Sequence, residues 1–449
     1  MTISRRYVLA TAAGALLTMP AVRKPALAQD RPLPIVFVHG NGDTAGLWIT
    51  TLWRFESNGY PRELMHAVDL KYPQARAVDE TPMPGRSSTG DVMKQLAEEV
   101  AEVKKRTGAA KVILVAQSRG GNTVRNYIKN GGGAEHTATA ILCGAVNHGV
   151  IVSDKALVGS EFNGASAFMR DLNGTPGEVV AGVRFVTIRS ADNDKFAQPD
   201  GKAIGMAGTP TGLGFDAPEL KGAENIVIPK LDHRETGYAP EAFAAMYKAI
   251  TGKAPATLDI AAEAAPTLDG KITSFEAAAP TNVGIASAKI TIYRVAAETG
   301  ERQGDTVHSK TTGADGLWGP FKADSKAFYE FVFEIPGQPI THMYRSPFAR
   351  SSNLLHLRPQ TLAKDEDKAG AVVYISRPRG YFGFGRDTVE LGGKPAPGIP
   401  EGFATISTSK LTFAEGPQQS VPGRFNNERI PARTWPMKEN RVTVIELTY

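Results

Sequence analysis

In the stretch KVILVAQSRGGNTVRNYI, Ser118 stands between an apolar run, Lys111 to Ala116, and residues Arg119 to Ile128, which read as a helix. A serine at such a strand-to-helix elbow sits on a strained backbone, tolerated only where the residues two before and two after are small. Ala116 and Gly120 meet that demand, alanine standing where glycine is more usual, and Gly121 lets the helix start close to the strand. The chemistry this permits is nucleophilic attack. A hydroxyl becomes a nucleophile when a base takes its proton and an acid holds the base in the right tautomer. The plainer reading is a loop serine, so the base and the acid decide between the two.

The chain has eight histidines. When the serine follows a central strand, base and acid both come later, each in a loop after a strand. His39 and His66 precede the serine, His136 lies in a glycine-rich loop before a strand, and His148 comes too early to leave an acid-bearing strand between. His308, His342 and His356 fall in the C-terminal half. His233 remains, in NIVIPKLDHRETGY, after the last apolar strand and before the last helix. For the acid, VRFVTIRSADNDKFAQPDG offers Asp194 and, as the alternative, Asp192. Phe196, at the second position after Asp194, favours Asp194 because an apolar residue there can pin the loop. The developing oxyanion needs backbone donors. VFVHGNGDT ends the first strand in a glycine-rich turn, which points to the amides of Asn41 and Arg119.

These residues need a scaffold. LPIVFVHG (33–40), KVILVA (111–116), ATAILCGA (138–145), VRFVTI (183–188) and NIVIPK (225–230) are apolar without polar alternation, as expected of strands buried on both faces of a parallel sheet; ELMHAVDL (63–70) is a weaker strand. Helices are expected near Leu47–Ser57, over 91–108 with Ser88 or Thr89 as cap, from Arg119 to Lys129, and over 240–251. Alternation of this kind predicts an α/β doubly wound, mostly parallel sheet over residues 29–253. The long connection before the strand at 183–188, rich in Gly, Ala and Phe, is expected to form a lid or cap. Residues 254–270 read as an Ala/Pro-rich linker. From 271 to 449, short alternating runs such as KITIYRV, FYEFVFEI and RVTVIELTY predict an all-β sandwich or barrel. Trp318, Phe321, Tyr344 and Phe348 are either its core or a contact surface.

Together, VHGNG, AQSRGG, SADNDKF and LDHRETGY resemble the α/β-hydrolase superfamily in its bacterial lipase and esterase branch, over about residues 33–251. VNHG (146–149) and FMRDLNG (168–174) resemble lipase segments near the acyl pocket. The two-part layout is similar to an archaeal lipase with a C-terminal β module, which implies a part for the module in lipid binding.

Composition is that of an ordinary globular chain of 449 residues, 42% hydrophobic and 22% charged. The first 28 residues, with SRRYVL, an apolar stretch and Ala26-Leu27-Ala28, resemble a twin-arginine export signal, implying a periplasmic or secreted protein. Arg5, Arg6, Arg23 and Lys24 in that segment account for all but one of the formal net charge of +5, so no nucleic-acid partner is expected. No later run is long enough to span a bilayer. The single cysteine, Cys143, reads as a buried small hydrophobe. No dinucleotide fingerprint, phosphate loop or paired-Cys and HExxH metal pattern occurs, so no cofactor and no metal are expected. The expected activity is hydrolysis of an ester or lipid, at an interface or in solution. The alternatives are a polyester depolymerase and a binding protein on a hydrolase fold. Acyl length and oligomeric state are left open.

Overall fold

The computed structural model describes residues 32–414 and 418–449, and the export segment expected at 1–28 lies outside them. Six parallel strands form the first sheet: β1 (Ile35–Val38), β2 (Met65–Val68), β3 (Val112–Gln117), β4 (Thr137–Cys143), β5 (Arg184–Ser190) and β6 (Glu224–Ile228), in the order β2-β1-β3-β4-β5-β6. The helices of seven or more residues are α1 (Ile49–Ser57), α2 (Thr89–Thr107), α3 (Arg119–Asn130), α4 (Ala167–Asn173) and α5 (Pro240–Thr251). Successive strand residues face opposite layers. Ile35, Phe37, Ile113, Val115, Ile141 and Cys143 pack toward α1 and α5. Val36, Val38, Leu114, Ala116, Ala140 and Leu142 pack toward α2 and α3. With helices on both faces, an inner strand has no polar side to show, and its sequence is a continuous apolar run.

α2 starts at a reciprocal cap in which the Ser88 hydroxyl accepts from the Asp91 amide and the Asp91 carboxylate accepts from the Ser88 amide; it ends at Gly108, φ 72°. The strand read at 225–230 is a correction. It is β6, at the sheet edge, paired among the described residues only with β5 and leaving Val227 exposed. Its apolar run mimics an inner strand because Ile226 and Ile228 still meet the core.

The C-terminal half contains a seven-stranded mixed sheet of β7 (Lys289–Val295), β8 (His308–Thr311), β9 (Phe328–Glu334), β10 (Ile340–Arg345), β11 (Ala371–Ser376), β12 (Thr408–Phe413) and β13 (Arg441–Glu446). Its order is β8-β7-β9-β10-β13-β11-β12. On one face, Ile375, Phe382, Leu391, Phe425 and Ile445 join it to a smaller four-stranded sheet. On the other, Ile290, Phe331, Met343 and Val444 belong to the same cluster as Trp48, Leu52 and Trp53 of the first half. Trp318, Phe321, Tyr344 and Phe348 are all buried, so they are core and not a contact surface.

The stretch read as a linker is held in place. Arg54 and Asn58 donate to the carbonyls of Leu258 and Thr257, and Thr267–Leu268 pairs with Phe321–Lys322. Leu33 to Tyr449 is accordingly one compact unit.

Candidate active site

Ser118 lies between β3 and α3 with φ 54° and ψ −125°, a conformation that L-residues avoid and that the surrounding structure must enforce. The enforcement is steric. A Cβ on Gly120 would lie 2.6 Å from the Val38 carbonyl oxygen, and one on Gly121 would lie 2.4 Å from the Ala145 Cβ. A Cβ on Gly40 would fall 2.9 Å from the Ser118 Cβ, so the loop after β1 approaches the serine only because that residue is glycine.

The loops after β5 and β6 bring together Asp194 and His233, both buried. His233 Nδ1 is 2.9 Å from each carboxylate oxygen of Asp194. The Phe196 amide donates to Asp194 Oδ1 at 2.9 Å, and the Phe196 ring stands edge-on to the imidazole at 4.6 Å. Gln117, the residue before Ser118, donates to the His233 carbonyl at 2.9 Å, as does the Thr236 hydroxyl at 2.7 Å. His233 Nε2 is buried and has no protein partner among the described residues. Asp192 is exposed, and its carboxylate accepts the Lys230 amide at 3.2 Å. The structure thus puts Asp194, and not Asp192, on His233.

The amides of Asn41 and Arg119 have no protein acceptor among the described residues, and the Asn41 side chain is held by the Ala75 amide at 2.8 Å. His39 orders this loop from beneath. Nδ1 contacts the Gly40 carbonyl at 2.9 Å, and Nε2 accepts the Leu70 amide at 3.1 Å, which assigns the proton to Nδ1. Burial lowers the His39 pKa against the opposing pull of Asp69, so the folded protein holds this ring neutral. The unfolded chain takes the proton first, so stability is full above a pH of about 6.5 and falls as pH drops below it, by at most about 1.4 kcal/mol per pH unit for this proton. Denaturant titrations between pH 7.5 and 5 should show that slope, reduced in His39→Gln.

Residues 32–199 match the family model for class 2 lipases, and residues 265–362 match the model for the lipase C-terminal domain. Over the first of these segments the chain is thus similar to lipases, on a parallel sheet with helices on both faces. Among solved structures, the chain is similar to the Bacillus licheniformis lipase BlEst2 in propeptide form, at 15% identity over 90% of this chain and 93% of that one, TM-score 0.37. The mature form of that lipase aligns at 19% identity over 49% of this chain and 93% of its own, TM-score 0.37. Aspergillus fumigatus lipase B aligns at 19% identity over 51% of this chain, TM-score 0.36; the match spans 55% of the length of that relative.

The histidine loop is also gripped by the C-terminal half, which the sequence did not reveal. Asp232, fully buried, accepts from the amides of Arg234 and Glu235 through Oδ1 and from Arg377 Nη1 and the Tyr381 amide through Oδ2, both at 2.8–2.9 Å. Arg377 also reaches Glu235 at 2.6 Å and the Tyr238 hydroxyl at 2.9 Å. Burial pushes the Asp232 carboxyl up, but the guanidiniums of Arg377 and Arg386 outweigh it and hold the group below its ordinary value. The acid loop is held likewise, by Asn193 Oδ1 accepting the Ala404 amide and by Lys195 donating to the Thr405 carbonyl. The Asp232 part was partly legible, because Asp-x-x-Glu is the pattern of a reciprocal helix cap and Glu235 returns a bond to the Asp232 amide. Nothing local announces Arg377. Its replacement by Met leaves the buried Asp232 and the half-buried Glu235 with Arg386 as their remaining guanidinium and is expected to cost up to about 3–5 kcal/mol in denaturant unfolding. Adding Asp232→Asn should recover part of that loss, the coupling of a contacting pair.

The Arg119 side chain does separate work. Fully buried, it binds Glu161 at 2.7 Å, together with Ser87 and the Pro73 carbonyl, and so moors the connection after β4 above the elbow. That connection, read as a cap, exposes Val152, Leu157 and Val158.

Proposed function

We propose that the protein is an exported serine ester hydrolase working through an acyl-enzyme. In this reading His233 Nε2 takes the proton of Ser118 Oγ as Oγ bonds to the ester carbonyl carbon. Asp194 keeps the Nδ1–H tautomer and stabilises the imidazolium. The amides of Asn41 and Arg119 receive the oxyanion. His233 then returns the proton to the departing alcohol. Water, deprotonated by His233, attacks the acyl group, and the acid leaves with Ser118 restored. The observation that carries the reading is the buried His233 ring, bonded through Nδ1 to Asp194 and tied to the residue before Ser118, with Nε2 free of protein partners among the described residues.

An apolar acyl substrate, met at an interface, fits the exposed Val152, Leu157 and Val158 of the cap with Val78 beside them. Treatment of the full chain with a fluorophosphonate is expected to add one phosphonyl group, located on Ser118 by peptide mass spectrometry. Absence of an adduct on Ser118 in folded protein overturns the serine mechanism. Emulsified tributyrin is expected to be hydrolysed faster than dissolved ethyl acetate, and equal rates would remove the case for an apolar interface.

A further inference from the structure

Between the loop after β1 and the ends of β10 and β13 lies a cavity of about 110 Å³. Three guanidiniums wall it, those of Arg345, Arg358 and Arg379. Arg345 and Arg379 are buried at 2% and 5% exposure. Arg345 Nη1 pairs with Glu446 at 2.6 Å, while its Nε has no partner among the described residues. Among the described residues, Arg379 donates only to the carbonyls of Thr448 and Leu447. Arg358 donates to the Thr281 carbonyl and Asn282 Oδ1, and its Nε is also buried without a partner among the described residues. Among the described residues, no carboxylate forms an ion pair with Arg358 or Arg379. The other carboxylate on the wall, Asp43, is bound to Arg234 at 2.7 Å.

Buried guanidiniums stay charged and are expensive to leave without a counter-ion. Burial lowers the pKa of both Arg358 and Arg379; at Arg379 the charge of Arg345 adds to the effect, and the attraction of Glu446 and Glu428 does not reverse it. The cavity has room for several water-sized bodies, hence for an ion of four or five heavy atoms. Guanidinium forks match the oxygens of carboxylate and phosphate.

We propose that this cavity binds one small oxyanion, a tetrahedral phosphate or sulfate or a short carboxylate, on Arg345, Arg358 and Arg379. The test uses the full chain at fixed pH and ionic strength, with chloride as background anion. Inorganic phosphate, sulfate and acetate are titrated separately, with heat of binding and melting temperature as readouts. At least one is expected to bind at about one per chain with a saturable rise in melting temperature, following the logarithmic dependence on ligand concentration. Arg379→Gln and Arg358→Gln are expected to weaken that binding at least tenfold. Saturation by acetate alone would assign a carboxylate site, and by phosphate or sulfate alone a tetrahedral one. A linear, unsaturating rise that is the same in wild type and both variants is general salt exclusion and overturns the site. So does the absence of binding heat in the wild type, a result that holds even where a variant does not fold.

Discussion

Ser118→Ala is expected to lower ester turnover by on the order of 10⁶-fold, the scale of losing the nucleophile from a cooperating set, and to abolish fluorophosphonate labelling. What remains should exceed the uncatalysed rate, since in the proposed mechanism the amides of Asn41 and Arg119 still receive the oxyanion. Ser118→Gly should be equally inactive, and its stability separates the two variants. The serine backbone is held at φ 54°, a conformation costing about 1–3 kcal/mol for an L-residue and little for glycine. Part of the relief is offset by the greater freedom of glycine in the unfolded chain. A net gain of about 1 kcal/mol is expected for Gly and none for Ala, measured by denaturant unfolding. Equal stability of the two variants would show that the elbow carries no strain.

Asp194→Asn is expected to reduce kcat by about 10⁴-fold, and Asp192→Asn to change it by less than threefold. The reason is the tautomer. Both oxygens of Asp194 lie 2.9 Å from His233 Nδ1, so the ring presents a bare Nε2. An amide there offers an N–H to Nδ1, which favours the proton on Nε2 and leaves no base for Ser118; loss on this scale is the general consequence of the wrong tautomer. At position 192 the bond from the Lys230 amide needs only an acceptor oxygen, which asparagine also has. Rates measured across pH would sharpen the comparison, because residual activity of Asp194→Asn should rise where hydroxide can replace the base. If both variants retain wild-type kcat, the acid comes from elsewhere.

What the sequence determined by itself follows from local physics. Strands covered on both faces must be apolar at every position, so β1, β3, β4 and β5 announce themselves. An elbow needs small neighbours, so Ala116, Gly120 and Gly121 mark Ser118. A helix cap needs a short side chain with a matched partner, and Ser88 with Asp91 supplies one. Tertiary structure decided whatever depends on which surface is covered and by what. The position of β6 at an edge is such a case, because pairing partners are not written into a strand's own residues. The burial of Trp318 and Phe348 is another, since an aromatic reads alike in a core and on a contact face. Arg377 is the clearest. Its partners Asp232 and Glu235 lie far back along the chain, and only the packing of the two halves on one core brings its charge to them, because a guanidinium takes its meaning from whatever carboxylate shares its burial.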